Sequence, residues 1–123
     1  MSENPYFEEV RAFCNSLPGV TEEYPWGHPT WKVHGKMFAI GDAEGPWISV
    51  KATYGNQEIL VQDPAIIPAP YLAKGGWVQI TFPDEETAAV ALQLTAESYD
   101  LIVTKLPKRV QAEIAAARST ESG

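Results

Sequence analysis

Few groups in this 123-residue chain are equipped for chemistry: one thiol, Cys14, two imidazoles, His28 and His34, and carboxylate clusters at Glu8–Glu9, Glu22–Glu23 and Asp84–Glu86. A structural zinc site takes four strong ligands at paired spacings, and two histidines with a lone cysteine do not supply them. Gly27-His28-Pro29 reads as a turn and His34-Gly35 as part of a hairpin. A nucleophilic thiol needs a neighbouring base, whereas Cys14 falls on the apolar stripe of a predicted helix, where a thiol serves as a small hydrophobe. Glu8–Glu9 and Asp84–Glu86 sit where predicted helices begin, which suits the positive end of the helix dipole. They are too sparse for a metal-holding ridge. Lys74-Gly75-Gly76 lacks the spacing of a phosphate loop or a dinucleotide fold. Trp47, Trp77 and Tyr54 offer at most an aromatic cage for a quaternary ammonium. No acid, base and nucleophile set stands out, so no catalytic residue, cofactor or metal ligand is assigned and the expectation is a non-enzymatic protein.

Binding is the remaining chemistry, and its candidates are Lys32, Lys36, Trp47, Lys51, Lys74, Trp77 and Gln79. Exposed aromatics stack on flat bases while lysines hold phosphate, so this set fits nucleic acid. The alternative occupant of the same aromatic surface is a protein or a small metabolite. The plainest account is a solvated sheet face whose lysines blunt aggregation. Nine Lys and Arg against sixteen Asp and Glu give a net charge of -7, with the acid concentrated in residues 1–25 and 83–104. Such a chain repels phosphate at long range. A local cationic face remains compatible with it, because salt screens charges beyond about 8–10 Å.

The elements that must position these residues follow from periodicity. Asn4 as cap and Pro5 at the first helical position open a helix carrying Tyr6, Val10, Phe13, Cys14 and Leu17 on one stripe, and Leu17-Pro18-Gly19 stops it. From Tyr24 to Val50 the period is two. A hairpin at His34-Gly35-Lys36 and a turn at Asp42–Pro46 join three antiparallel strands. Asn56 is expected to cap a short helix that ends at Asp63-Pro64. Ala65–Gly76, rich in Pro and Gly, is expected as a structured loop whose Ile66, Ile67, Tyr71 and Leu72 need burial. Trp77–Phe82 alternate as a further strand. A long helix follows from Asp84 towards Leu106, with a break expected near Thr95 if it is two, and a last short helix carries Val110 and Ile114.

Sorting strand residues by parity gives two faces. Trp31, Val33, Phe38, Ile40, Ile48, Val50, Val78, Ile80 and Phe82 form an apolar side that must meet the helices. Thr30, Lys32, His34, Trp47, Ser49, Lys51, Trp77, Gln79 and Thr81 form a side with no carboxylate. The expectation is an α+β, two-layer domain, an antiparallel sheet with helices packed on one face. The acidic segments would lie on the helices, leaving the far face at least partly wet. One domain spans residues 1–118, with a polar tail over 119–123. No charge-free stretch exceeds ten residues, well short of the ~18 a spanning helix takes, so no membrane role is expected. A single cysteine and an N-terminus without an export signal fit the cytoplasm.

Three blocks of residues resemble a known family. Pro25-Trp26-Gly27-His28-Pro29-Thr30-Trp31-Lys32-Val33 with Gly35-Lys36-Met37-Phe38-Ala39 is similar to the signature run of the MmcQ/YjbR-like family. Pro68–Val78 is similar to its second block, and Ser98–Val103 with Lys105-Leu106-Pro107-Lys108 to its C-terminal helix. The resemblance implies a frataxin-like (CyaY-like) α+β fold in a small cytoplasmic protein without catalytic residues. It also implies a double-wing DNA-binding role, for which the matching positions are Lys32, Lys36, Lys74 and Trp77.

Overall fold

The computed structural model describes residues 5–70 and 72–122. Four helices, α1 (Pro5–Ser16), α2 (Tyr54–Leu60), α3 (Glu85–Val103) and α4 (Lys108–Ser122), accompany six strands. The strands are β1 (Val20–Glu23), β2 (Thr30–Val33), β3 (Lys36–Asp42), β4 (Trp47–Lys51), β5 (Ile66–Pro68) and β6 (Trp77–Thr81). They form one antiparallel sheet in the order β1-β2-β3-β4-β6-β5. The fold is α+β. Among the described residues no helix is long and apolar enough to cross a membrane.

α3 lies across β3 and β4, and α1 packs against α3 and β1. Phe7, Val10 and Cys14 of α1 and Ala88, Ala91 and Leu94 of α3 are buried against Trp31, Phe38, Val50 and Val78 of the sheet. Asp84 caps α3 by accepting the Thr87 N–H, and the Thr87 hydroxyl returns to the Asp84 backbone, a closed capping box. α3 passes Thr95 unbroken, and the buried Thr95 hydroxyl is satisfied within the helix by donating to the Ala91 carbonyl one turn back. Pro107 precedes α4, which continues past Arg118 to Ser122. Arg118 ties α4 to α3 through Asp100 at 3.1 Å and lies over the Tyr99 ring. The cap expected at Asn4 and the burial expected of Tyr71 fall outside the described residues. Thr53, not Asn56, caps α2: its hydroxyl accepts the Asn56 N–H.

The strand register departs from simple parity at one place. Trp31 pairs with Ala39 but Lys32 pairs with Met37, so Phe38 is an extra residue in β3. This bulge lets Phe38 and Ala39 both face the helices, where both are fully buried. Ile40, placed by alternation in the helix-facing core, turns instead to the far face, where Ser49 is its partner on β4. Ser98 closes the gap at the bulge: its hydroxyl donates to the Phe38 carbonyl at 2.7 Å and accepts the Lys51 N–H at 2.9 Å. Replacing Ser98 by Ala leaves two buried backbone groups without this partner. An equilibrium urea titration of that variant should show a loss of roughly 1–3 kcal/mol.

Of the two outermost strands, β1 lies between the helix stop at Gly19 and the alternation from Tyr24, where no element is expected from the sequence, and β5 lies in the segment expected as a loop. β1 also relocates acid. Glu22 and Glu23 sit in the sheet and not on a helix, so the far face carries a carboxylate after all.

Candidate functional site

The far face is half covered by the chain's own segments. At its β5–β6 end a single 3-10 turn (Ala73–Gly75) closes over it, while α2 lies on the helix side, where Thr53 and Asn56 share a groove with Glu97, Asp100 and Leu101 of α3. Gln57 of α2 donates to the carbonyls of Ala73 at 3.0 Å and Trp77 at 2.9 Å. The backbone of Gly75 lies on the Trp77 indole, leaving only 8% of Trp77 exposed. Lys51 reaches back to donate to the Gly75 carbonyl at 2.8 Å. At the opposite end Lys32 is paired with Glu23 of β1 at 3.2 Å. Lys36, at the start of β3, and Lys74, in the 3-10 turn, are exposed.

The residues proposed from sequence are therefore not gathered into one cationic surface. Lys32 and Lys51 spend their charge on internal partners, and Trp77 is enclosed. Trp47 and Gln79 do come together, around the centre of the face. A hollow of about 600 Å³ opens there, lined by Trp26, His28, Met37, Ile40, Trp47, Ser49, Pro70, Leu72 and Gln79.

Each part of the hollow has a local cause. Thr30, Ile40, Ser49, Gln79 and Ile67 form one row across β2, β3, β4, β6 and β5, so Ile40, Ser49 and Gln79 make a continuous floor. The Phe38 bulge supplies the floor's apolar part by turning both Met37 and Ile40 outward. The Ser49 hydroxyl faces the Gln79 carbonyl oxygen at 3.5 Å. Trp26, 64% exposed, comes from the β1–β2 loop, and Pro70 and Leu72 come from the segment after β5.

His28 stands at the hollow beside Asp42, with Nδ1 at 2.6 Å from Oδ2. Residues 14 apart in sequence meet because Thr30 pairs with Ile40 and the Gly41 N–H donates to the Pro29 carbonyl. The His28 ring meets Trp47 edge-on, centroids 5.9 Å apart. Asp42 Oδ1 accepts the Glu44 N–H at 3.0 Å. That backbone bond foremost, with the His28 contact outweighed in part by burial, holds the Asp42 carboxyl below its ordinary range. Sequence reading treated His28 as a turn residue and passed over Asp42, Met37 and Trp26. The motif around His28 was visible, but its partner is brought in only by strand pairing.

A second polar cluster lies on the helix side of β1. Glu22, whose side chain is 14% exposed, accepts from Arg11 Nε at 3.0 Å and Nη2 at 2.7 Å. It also accepts from Asn15 Nδ2 at 2.8 Å, from the Trp31 indole at 3.1 Å and from the Tyr24 hydroxyl. Burial opposes its charge, but the bonds from Arg11, Asn15 and Tyr24 prevail and pull its carboxyl down to about 2. Cys14 is buried nearby and burial pushes its thiol well up, so it is held as an inert thiol.

Comparison with known proteins bears on the whole of this arrangement. A protein of Escherichia coli O157:H7, described as uncharacterized protein YbdF, is 28% identical over 123 residues, covering 93% of this chain and 98% of that one. The crystal structure of Deinococcus radiodurans protein DR2400, a DUF419 domain, superposes with a TM-score of 0.76 at 27% identity, covering 88% of this chain and 86% of the other. The YjbR family model matches residues 15–101, which run from the end of α1 into α3 and include every strand and every residue lining the hollow. On that match, the chain belongs to the YjbR family.

Proposed function

We propose that this chain is a non-enzymatic binding module that takes a small, flat, largely apolar molecule into the hollow on the far face of the sheet. The observation that carries this reading is the hollow itself: about 600 Å³, an apolar and aromatic lining, and a few polar groups converging on it. Volumes of this order with such a lining are the usual form of a small-molecule site. Two tryptophans give flat surfaces against which a planar ligand stacks. The nucleic-acid reading draws less support, because Lys32 and Lys51 are engaged within the chain and the net charge is -7.

The test is tryptophan fluorescence of the full chain, titrated with methoxynaphthalene and, separately, with a short DNA duplex at low salt. The naphthalene should shift the emission saturably, and Leu72→Glu, which puts a charge into the apolar wall, should weaken that response about tenfold or more. The duplex should leave the emission unchanged. Saturable, salt-dependent binding of the duplex with no response to the naphthalene would reverse the assignment.

A further inference from the structure

From the His28–Asp42 pair at the edge of the hollow, we infer that the site selects an aromatic ligand bearing a hydroxyl donor, received by Nε2 of His28, and disfavours anionic ligands of the same shape. The inference rests on the small-molecule reading of the hollow and adds the ligand's polar chemistry to it.

An ionised carboxylate only accepts hydrogen bonds. Asp42 is held ionised by the Glu44 N–H and its short contact with His28, so at that contact Nδ1 of His28 must be the donor. In the neutral ring this fixes the tautomer. Nδ1 carries the proton and Nε2 is left as an acceptor. The edge contact with Trp47 and the tether to Asp42 hold the ring in place before any ligand arrives. Nε2 makes no hydrogen bond within the chain among the described residues.

A ring nitrogen that accepts, standing beside an apolar and aromatic floor, matches an O–H on a flat hydrocarbon frame. At the floor Gln79 adds the opposite sense. Its amide oxygen faces Ser49, which leaves its NH₂ to donate to an oxygen of the ligand. An anion is poorly served by this geometry. Among the described residues no lysine or arginine lines the hollow, Lys32 beside Met37 is paired with Glu23, and the carboxylate of Asp42 stands against His28 at the rim. A metal reading has no support either, since no third His, Cys, Asp or Glu joins His28 and Asp42 in a ligating group among the described residues.

The test uses three probes matched at one ring position: naphthol, methoxynaphthalene and naphthoate. Each is titrated by tryptophan fluorescence or calorimetry against the wild-type chain and His28→Phe, which keeps a ring against Trp47 but removes the nitrogens. One added hydrogen bond should make naphthol bind about three- to tenfold tighter than methoxynaphthalene. Naphthoate should bind weakest, and in His28→Phe the advantage of naphthol should vanish. Equal affinities for naphthol and methoxynaphthalene in the wild type overturn the inference. So does a preference that survives in His28→Phe, or tightest binding of naphthoate. Each of these leaves the hollow intact as a binding site, whereas no binding of any of the three removes the small-molecule reading itself. If His28→Phe does not fold, the wild-type ranking of the three probes still decides.

Discussion

Replacing Glu22 by Ala should lower the unfolding free energy by roughly 2–3 kcal/mol at neutral pH, because it removes a largely buried carboxylate from the centre of a partly exposed hydrogen-bonded cluster. Arg11 loses a two-point carboxylate partner, and the buried Trp31 indole N–H loses its acceptor. These bonds fasten α1 to β1 and β2 at one edge of the sheet.

The same residue sets an acid response. The Glu22 carboxyl titrates at about 2 in the folded chain, against ~4.3 for an unperturbed glutamate. A depressed folded value means the unfolded chain binds the proton more readily. The stabilisation is therefore complete above the unfolded value and is lost as pH falls through the folded one. With Arg11 partly open to solvent, its size is roughly 2–3 kcal/mol. Urea titrations at a series of pH values from neutral to about 2 should show the wild type and Glu22→Ala converging as the pH drops. A gap that stays constant across that range would place the stabilisation in packing and not in charge.

Trp47→Ala should cost the hollow about thirtyfold in affinity for an aromatic probe, the ~2 kcal/mol expected of an aromatic anchor. Trp47 walls the hollow and also steadies His28, so both the stacking surface and the oriented imidazole are lost. Trp26→Ala should weaken binding less, since Trp26 is mostly exposed and contributes one wall only. Titration of methoxynaphthalene into the two variants orders the effects. A Trp26 effect equal to or larger than that of Trp47 would move the site off the sheet and onto the loop.

The helices α1 and α3, the strands β2–β4 and the alternation in β6 were legible because a helical or two-residue period holds over most of each. Phe7, buried although off the stripe read for α1, and Ile40, turned by the bulge in β3, are the exceptions. β1 was not, because Val20 is the one apolar residue among Val20-Thr21-Glu22-Glu23 and an edge strand needs little burial. β5 spans only Ile66–Pro68, ends in proline and sits on the sheet's other edge.

The candidate site was half legible for a related reason. Trp47 and Gln79 follow from alternation and were found. Met37 and Ile40 share a face only because Phe38 is an extra residue, and a one-residue bulge has no signature in the hydrophobic pattern. The pairing of Lys32 with Glu23, and of Lys51 with the Gly75 carbonyl, depends on contacts that composition does not show. An apparent cationic face therefore resolved into a mostly neutral, aromatic hollow.

Met37 offers a direct view of that hollow, since the chain has only two methionines. With methyl-labelled methionine incorporated, the Met37 signal can be followed by NMR as naphthol or a DNA duplex is added. The account predicts a saturable shift of that methyl with naphthol and none with the duplex. A Met37 methyl that ignores naphthol, while backbone signals of Lys36 and Lys74 move with the duplex, would contradict it.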